Sequence, residues 1–346
     1  MLIRLPLLWS IPVAMLCVSV AQGADTAGAG PVKVFILAGQ SNMEGHAKVA
    51  LLKYQTTQPA TRDLFKHLHK DGVWVERQDV WIKFFDRKGP LTVGYGAPGC
   101  IGPELEFGNV VGNHYAQQVL LIKTAWGGRS LYRDFRPPSA GLPPADALEK
   151  MLAGMKKRKP DATLDDVKAT FGASYRAMLA EVNATLADLK KHFPDYRDQG
   201  WELAGFVWFQ GWNDMISDEA TAEYTANLAH FIRDVRRDLK SPALPFVVGE
   251  MGVDGAEASA KIQRFKAAQS AVMNIPEFKG NVAVVKTDVF WDTEAHAVFK
   301  KGWREHLEEW NRVGSNFPYH YLGSARTMIG IGRAFGEAMI ALRGGK

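Results

Sequence analysis

Residues 32–45, VKVFILAGQSNMEG, hold the pattern that decides the fold class. The run VKVFILAG is almost entirely apolar and lacks strict alternation, which is typical of a strand buried on both faces of a parallel sheet. It ends on Gly39, and the polar residues Gln40, Ser41 and Asn42 follow. In open α/β sheets, ligands bind beyond the carboxyl ends of the strands. The stretch therefore predicts a buried strand that presents a serine where such sites form.

Similar apolar runs recur along the chain, at residues 80–85, 119–128, 203–211, 245–252 and 282–287. Apolar residues at helical spacing lie between or after the later runs, at residues 164–193, 221–239, 258–273 and 324–343, with Ser324 as an N-cap. Strands that alternate with helices predict an α/β protein, a three-layer α/β/α sandwich around a mainly parallel sheet. Residues 42–79 and 129–163 are rich in Pro, Gly and charge, and we expect long loops or insertions there.

The N-terminal segment MLIRLPLLWSIPVAMLCVSVAQG has the pattern of a signal peptide, because a basic residue and a short apolar stretch precede small residues before Ala24. We therefore predict a signal peptide at residues 1–23 and export to the periplasm or outside the cell. A retained N-terminal anchor is the alternative. The mature chain, residues 24–346, is predicted to be a single domain with a loop and helical insertion at about residues 135–200.

Composition argues against several classes of partner. The net charge of +5 is mild and evenly spread, so nothing indicates a nucleic acid. No other apolar stretch is long enough to span a bilayer, so we expect no membrane contact after signal cleavage. Only Cys100 would survive cleavage, which excludes an internal disulfide, and His67 and His69 lack a third metal ligand. We expect no metal and no cofactor, and the sequence does not indicate an oligomeric state.

Four residues suited to acyl transfer follow predicted strands or precede the last helix: Ser41, Gly128, Asn213 and His320. A serine hydroxyl attacks an ester while a histidine takes its proton. The backbone N–H of a glycine and the side-chain amide of an asparagine can then bind the oxyanion of the tetrahedral intermediate. Each residue alone also fits a turn, a cap or a loop. The prediction of an acyl-transfer site therefore depends on all four meeting at one edge of the sheet.

Ser41, Gly128, Asn213 and His320, in this chain order, resemble the four blocks of the SGNH (GDSL-like) hydrolases. More narrowly, ILAGQSNMEG resembles the first block of the sialate O-acetylesterase and acetylxylan esterase type of carbohydrate esterase. Three later segments are similar to further blocks of that family: GPELEFG (102–108), IKTAWGGRSL (122–131) and WFQGWND (208–214). The resemblance extends from about residue 32 to about residue 341 and is weakest over residues 135–200.

This resemblance implies a flavodoxin-like α/β/α sandwich and removal of acetyl groups from sugar hydroxyls without a cofactor. It makes Ser41 the nucleophile, His320 the general base, and Gly128 and Asn213 oxyanion-hole donors. The substrate would be an acetylated carbohydrate of the sialate or the plant or algal polysaccharide type. The common α/β-hydrolase pattern Gly-x-Ser-x-Gly is absent here, because Met43 replaces its second glycine.

One departure from the family concerns the acid that orients the histidine. That acid usually lies three residues before the histidine, and Phe317 occupies the position here. Without a carboxylate on its second nitrogen, His320 lacks the usual group that stabilises its protonated form. A backbone carbonyl is one substitute. Four carboxylates follow predicted strands, Asp214, Glu250, Asp288 and Asp292, and we predict Asp214 or Glu250 as the acid.

Several side chains near these blocks are candidates for binding a sugar. Gln40 and Gln210 flank the predicted site and can contact hydroxyls, although loop hydrogen bonding is the alternative. Trp212 stands where the family often has Glu, and with Trp126 and Trp208 it is a candidate stacking platform. Arg129 is a candidate contact for an acidic sugar, with a surface ion pair as the alternative.

Three functions remain open from the sequence. The first is an exported serine esterase that removes O-acetyl groups from a carbohydrate. The second is a catalytically weak or inactive carbohydrate-binding homologue of the same fold, an alternative that the missing acid before His320 motivates. The third is an esterase of this fold that acts on longer acyl chains.

Overall fold

The structure is a computed structural model, and it describes residues 28–344. The predicted signal peptide, residues 1–23, lies outside the described residues. The strands, in chain order, are β1 (Gly28–Gly39), β2 (Ala47–Lys48), β3 (His69–Lys70), β4 (Val73–Trp74), β5 (Arg77–Phe84), β6 (Arg87–Leu91), β7 (Cys100–Ile101), β8 (Gln117–Ala125), β9 (Trp201–Phe209), β10 (Phe246–Glu250) and β11 (Val282–Lys286).

Seven of these strands form one sheet in the order β11-β10-β9-β1-β8-β5-β6. All neighbours in this sheet are parallel except β5 and β6, which are antiparallel. The six parallel strands are therefore arranged 2-3-1-4-5-6 in chain order, whereas flavodoxin itself has 2-1-3-4-5. The first strand lies at the centre, where the crossovers change direction. Ligand sites in open α/β sheets form at such a switch point.

The α-helices are α1 (Ser41–Glu44), α2 (Val49–Gln55), α3 (Arg62–Phe65), α4 (Glu104–His114), α5 (Ala145–Lys156), α6 (Leu164–Thr170), α7 (Ala173–Ala187), α8 (Leu189–His192), α9 (Trp212–Met215), α10 (Asp218–Asp238), α11 (Ala260–Ser270), α12 (Thr293–Lys300), α13 (Leu307–Val313) and α14 (Ala325–Leu342). Short 3₁₀ helices lie at Pro138–Ala140, Gly255–Glu257, Ala271–Asn274, Pro276–Phe278, Asp288–Phe290 and Pro318–Gly323. None of the helices described is both long and apolar enough to cross a bilayer.

Helices cover both faces of the sheet. On one face, α4 and α14 pack together, and Phe335 of α14 meets Phe209 of β9 edge to face, with ring centroids 5.3 Å apart. On the other face, Phe231 of α10 lies against Trp208 of the same strand, with centroids 4.4 Å apart. Successive residues of β9 thus face opposite helical layers, as the pleat requires. The predicted three-layer α/β/α sandwich with a mainly parallel sheet is confirmed.

All six predicted apolar runs are strands, and Ser324 accepts from the Thr327 N–H as the N-cap of α14. The segments predicted as long loops contain α2, α3, α5 and the hairpin β3–β4. The predicted helical segment 164–193 is divided into α6, α7 and α8. This division has a packing reason, since α6 and Phe171 bury their apolar side chains with α5 in a small separate cluster, whereas α7 packs on β8.

The end of β1 approaches β9 unusually closely. A Cβ built on Gly39 would lie 2.1 Å from the Phe209 carbonyl oxygen, so only glycine fits this position. The next residue, Gln40, donates its backbone N–H to the same oxygen at 3.2 Å. This contact fixes the direction in which the chain leaves the sheet and places Ser41 beyond the carboxyl ends of the central strands.

Candidate active site

Ser41 is the first residue of α1, directly beyond β1. Its carbonyl accepts from the Gly45 N–H at 2.8 Å, which closes this single helical turn. Only 6% of the residue is exposed, so the serine is buried at the carboxyl end of β1 rather than placed on an open surface. A buried serine at the start of a turn matches the sequence prediction of a hydroxyl held at the carboxyl end of the first strand.

A buried ion pair supports this turn from the sheet side. Lys123 of β8 is fully buried, and its Nζ donates to Glu104 Oε2 at 2.7 Å, to the Tyr95 carbonyl at 2.7 Å and to the Glu44 carbonyl at 2.8 Å. Burial lowers the pKa of Lys123, while Glu104 opposes that shift. All three ammonium protons have acceptors, which is the condition under which a buried charge is tolerated. Through the Glu44 carbonyl, the ion pair fixes the last residue of α1.

His320 lies in the 3₁₀ segment Pro318–Gly323, between α13 and α14. Its Nδ1 is 3.0 Å from Asn316 Oδ1, and the same oxygen accepts from the Phe317 N–H at 2.8 Å. An amide nitrogen cannot accept, so the Phe317 bond identifies this atom as the oxygen. His320 Nδ1 must then carry the proton and donate it. The other ring nitrogen, Nε2, is therefore left as an acceptor, which is the form that a general base requires.

Neither predicted acid reaches His320. Asp214 is fully buried and accepts from the backbone N–H groups of Leu131 and Tyr132, both at 2.8 Å, and from Gln210 Nε2 at 2.5 Å. Burial raises the pKa of Asp214 to about 7, although these three donors pull in the opposite direction. The carboxylate thus holds the loop after β8 against α9, and the prediction that it orients His320 is corrected.

Glu250, at the end of β10, is the second correction. It accepts from the Ser270 hydroxyl and lies 3.6 Å from Lys266 Nζ, on the side of β9 away from β1. The remaining two carboxylates that follow predicted strands are also bound elsewhere, Asp288 to Lys266 and Asp292 to Ser324 and Arg326. Asn316 occupies the position on His320 that the sequence assigned to an acid.

A second imidazole lies on the face of the first. The rings of His46 and His320 are stacked, with centroids 4.0 Å apart and planes 1° from parallel. Glu44 Oε2 is 3.6 Å from His46 Nε2. Burial is the main cause that lowers the pKa of His320, to about 3, and His46 adds to it, while Glu44 opposes the shift. His320 is consequently neutral at physiological pH.

The segment with Ser41 and the segment with His320 are joined directly. Asn42 Nδ2 donates to the Tyr319 carbonyl at 3.1 Å, and α1 is in contact with the segment Pro318–Gly323. Within residues 28–344 no hydrogen bond links Ser41 Oγ to His320. Catalytic hydrogen bonds in empty sites are often long and tighten when substrate binds. The residues from the two ends of the chain are thus brought to the same edge of the sheet.

Gly128 and Asn213 meet beside this pair. Asn213 Nδ2 donates to the Gly128 carbonyl at 2.9 Å, and its Oδ1 lies 3.4 Å from Gln40 Nε2. Gly128 has a φ of 70°, a left-handed conformation that favours glycine. Because one amide proton of Asn213 is bound to Gly128, its second proton is left for another acceptor. The loops after β8 and β9 are therefore locked together next to the residue that precedes Ser41.

Gln40 and Gln210 are almost fully buried and brace the loops that surround the site. Only 1% of Gln40 and 3% of Gln210 is exposed. Gln40 Oε1 accepts from Gln210 Nε2 at 3.1 Å and from the Gly211 N–H at 3.0 Å. Gln210 Nε2 also donates to the Arg129 carbonyl at 3.0 Å, and Tyr224 donates to Gln210 Oε1. The prediction that these two glutamines contact sugar hydroxyls is therefore corrected.

The predicted aromatic platform is also largely corrected. Trp208 is fully buried and donates to the Tyr224 hydroxyl at 3.2 Å. Trp126 is half-buried and packs between other aromatic rings. Trp212 is also partly buried, and its ring centroid lies 5.7 Å from that of the exposed Tyr319. Arg129 is about half exposed and pairs with Asp134 at 3.2 Å.

Glu44, His46 and Asn316 are the site residues that sequence reasoning missed. Glu44 and His46 belong to the same block as Ser41, MEGH at residues 43–46, so their place near the serine was available from the sequence. Asn316 lies four residues before His320 and directly precedes Phe317, which occupies the position where the family usually has its acid. Among the described residues, no group of His, Cys, Asp and Glu side chains is arranged to hold a metal ion.

Comparisons with known proteins agree with this architecture. A protein from Arabidopsis thaliana, solved by X-ray crystallography, has the same fold with a TM-score of 0.53 at 17% identity, over 90% of this chain and 98% of its own. A carbohydrate acetylesterase from Xanthomonas citri gives a TM-score of 0.52 at 12% identity, over 91% of this chain and 57% of its own. Among curated protein sequences, none matches the chain significantly.

The family comparison covers more than the site blocks alone. The model of the SASA family, described as carbohydrate esterase, sialic acid-specific acetylesterase, matches residues 31–297. This span includes Ser41, Gly128 and Asn213, and it ends before His320. The chain is thus a carbohydrate O-acetylesterase that belongs, as its sequence blocks predicted, to the sialic acid-specific acetylesterase family of carbohydrate esterases.

Proposed function

We propose that this protein is an exported serine esterase that removes O-acetyl groups from a carbohydrate through an acetyl-enzyme on Ser41. The observation that carries the proposal is the bond between His320 Nδ1 and Asn316 Oδ1, because it leaves Nε2 unprotonated near the segment that bears the serine. A Ser-His-Asn arrangement has a counterpart in papain-like proteases, where Asn takes the place of the acid.

In the first half of the reaction, Ser41 Oγ attacks the acetyl carbonyl carbon and His320 Nε2 takes the hydroxyl proton. The Gly128 N–H, the free amide proton of Asn213 and the Ser41 N–H bind the oxyanion. Collapse of the tetrahedral intermediate breaks the bond to the sugar oxygen, which receives the proton from His320. Each oxyanion donor of this kind typically contributes about 100- to 1000-fold in rate.

In the second half, water attacks acetyl-Ser41 while His320 again takes a proton. The intermediate releases acetate, and the proton returns to Ser41 Oγ. Both halves pass through a positively charged His320, which needs a compensating charge. We assign that role to Glu44, whose carboxylate raises the pKa of His320 across the stacked His46 ring. Burial alone would raise the pKa of Glu44, but His46, Lys123 and His320 together lower it and keep it ionised.

The test is release of acetate from 4-nitrophenyl acetate and from a chemically O-acetylated sugar. Ser41→Ala should lower kcat by roughly 10⁴-fold or more while the circular dichroism spectrum is unchanged. The matched control is Ser241→Ala, which should retain activity. Ser241 precedes β10 and so lies at the amino ends of the strands, away from the proposed site. If the wild type binds acetylated sugars but hydrolyses none, the inactive carbohydrate-binding alternative is correct.

Two further assays address acyl length and export. Butanoyl and octanoyl esters of 4-nitrophenol should be poorer substrates than the acetate, and a preference for the longer chains would favour the third function. The first residue of protein recovered outside the cytoplasm should be Ala24. Recovery of the intact N-terminus from the membrane fraction would instead indicate a retained anchor.

A further inference from the structure

Four aromatic side chains form a continuous surface beside His320, and we call this surface the aromatic ledge. Its members are Trp212, Tyr319, Phe317 and Trp303. Ring centroids are 5.7 Å apart between Trp212 and Tyr319, 5.4 Å between Tyr319 and Phe317, and 6.2 Å between Phe317 and Trp303. The Tyr319 and Phe317 rings are nearly parallel, at 9°. The ledge is built from three separate segments, which follow β9, α12 and α13.

The two central rings of the ledge, Phe317 and Tyr319, are open to solvent and rigidly held. Phe317 is 39% exposed and Tyr319 is 36% exposed, although both are large aromatic side chains. Their backbone is fixed, since the Phe317 carbonyl accepts from the N–H groups of His320 at 2.9 Å and of Leu322 at 3.0 Å. A single exposed apolar residue is ordinary, but a contiguous exposed patch usually marks a binding surface. Trp212 and Trp303 are partly buried against the core and flank the exposed rings of Tyr319 and Phe317, whose open faces are available to a partner.

The ledge is continuous with the proposed catalytic residues at two points. The Tyr319 ring meets the His320 ring edge to face, with centroids 4.5 Å apart. Trp212 directly precedes Asn213, whose side chain is bound to Gly128. A substrate whose ester lies at the catalytic residues would therefore place its neighbouring groups on the ledge.

We propose that the aromatic ledge binds the sugar rings next to the acetylated unit, so that the substrate is an oligosaccharide or polysaccharide rather than a single sugar. The apolar C–H faces of pyranose rings match flat aromatic faces, and aromatic side chains with a polar tip, such as Tyr319, suit a ligand rimmed by hydroxyls. This inference rests on the proposed function, since it takes the ester-cleaving centre to lie at one end of the ledge.

The experiment compares kcat/KM on a chemically O-acetylated xylohexaose, on O-acetylated xylose and on 4-nitrophenyl acetate. The wild type should prefer the hexasaccharide to the monosaccharide. Phe317→Ala and Trp303→Ala should each lower the ratio of kcat/KM for the hexasaccharide to that for 4-nitrophenyl acetate by roughly two- to tenfold. Trp201→Ala, which removes a tryptophan 42% exposed at the amino end of β9, is the matched control and should leave the ratio unchanged.

Two results would overturn the inference and leave the esterase function standing: equal loss on all three substrates, or no preference of the wild type for the longer sugar. A shift from dimer to monomer in Phe317→Ala, without a change in the ratio, would instead make the ledge a contact between copies of this chain. If the wild type cleaves no ester, the proposed function fails. Calorimetric binding of the hexasaccharide then decides, because binding that Phe317→Ala weakens supports the ledge and the absence of binding refutes it.

Discussion

Removal of the Asn316 side chain is the most informative perturbation of the proposed mechanism. Asn316→Ala takes away the acceptor of the His320 Nδ1 proton, a neutral hydrogen bond of 3.0 Å. Such a bond contributes about 0.5–1.5 kcal/mol net, which corresponds to about 2- to 12-fold in rate. A misplaced imidazole adds to this loss, since a shift of about 1 Å can cost about 100-fold. We therefore expect kcat/KM to fall by about 10- to 100-fold.

The isosteric variant Asn316→Asp separates orientation from charge. Its carboxylate can still accept from His320 Nδ1 and from the Phe317 N–H, so the turn should be kept. The added negative charge stabilises the imidazolium and raises the pKa of His320. In the wild type, burial lowers that pKa to about 3, so activity should persist far below pH 6.5, the ordinary pKa of histidine. In Asn316→Asp, the acidic limb of the pH profile should move to higher pH.

The assay is the pH profile of kcat/KM on 4-nitrophenyl acetate for the wild type, both variants and Asn274→Ala, an exposed asparagine between α11 and β11. Thermal unfolding of each protein controls for loss of the fold. A change of less than twofold in Asn316→Ala would refute the orienting role. A loss near 10⁴-fold would also contradict it, because a loss of that size arises when a substituted partner holds the base in the wrong tautomer, and alanine holds neither tautomer. An acidic limb that does not move in Asn316→Asp would exclude contact with His320.

Three other perturbations follow from the contacts around the site. His46→Asn should raise the pKa of His320 and move the acidic limb of kcat/KM to higher pH, and an unchanged limb would remove His46 from the electrostatics of the base. Lys123→Met leaves Glu104 buried without its cation, and the free energy of unfolding measured by urea titration should fall by about 3–5 kcal/mol. A decrease below about 1 kcal/mol would contradict the stabilising role of this buried ion pair. Asp214→Ala leaves three hydrogen-bond donors without an acceptor, so the loop that contains Gly128 is no longer held in place. We expect kcat to fall by a larger factor than KM rises, and a change in KM alone would contradict this role of Asp214.

Much of the architecture could be predicted from the sequence because the central strands are buried on both faces. Runs such as 32–39 and 203–211 carry little polar character, and turn residues end each of them. The antiparallel strand β6 was missed for a related reason. Its sequence, RKGPL, lies at the edge of the sheet, where one face and one set of backbone groups remain open and the apolar signal is weak.

The site was predictable only in part, because side-chain direction depends on long-range contacts. Strand ends indicated where Ser41 and Asn213 would lie, since parallel strands bring their carboxyl ends to one edge. Strand ends could not distinguish a side chain that faces a ligand from one that braces a loop. Gln40 and Asp214 both follow strands, and both turn inward to satisfy backbone N–H groups. Burying such donors without partners would cost about 1–3 kcal/mol each, and this cost decides their orientation.

The partner of His320 was missed because it belongs to a turn rather than to a strand end. The family pattern directs attention to position 317, where the structure has an exposed phenylalanine of the aromatic ledge. One residue earlier, Asn316 forms a local turn with the Phe317 N–H and reaches back to His320 with the same oxygen. Local side-chain bonds of this kind are typical of asparagine, but a sequence alone does not show which ring they meet.

The central claim is that Ser41 is a nucleophile activated by His320, and covalent labelling with a fluorophosphonate tests it most directly. After digestion, mass spectrometry should find a single adduct on the peptide that contains Ser41, formed rapidly in the wild type and at least about 100-fold more slowly in His320→Ala. An adduct on a different serine, or equally fast labelling of Ser41 without His320, would contradict the account.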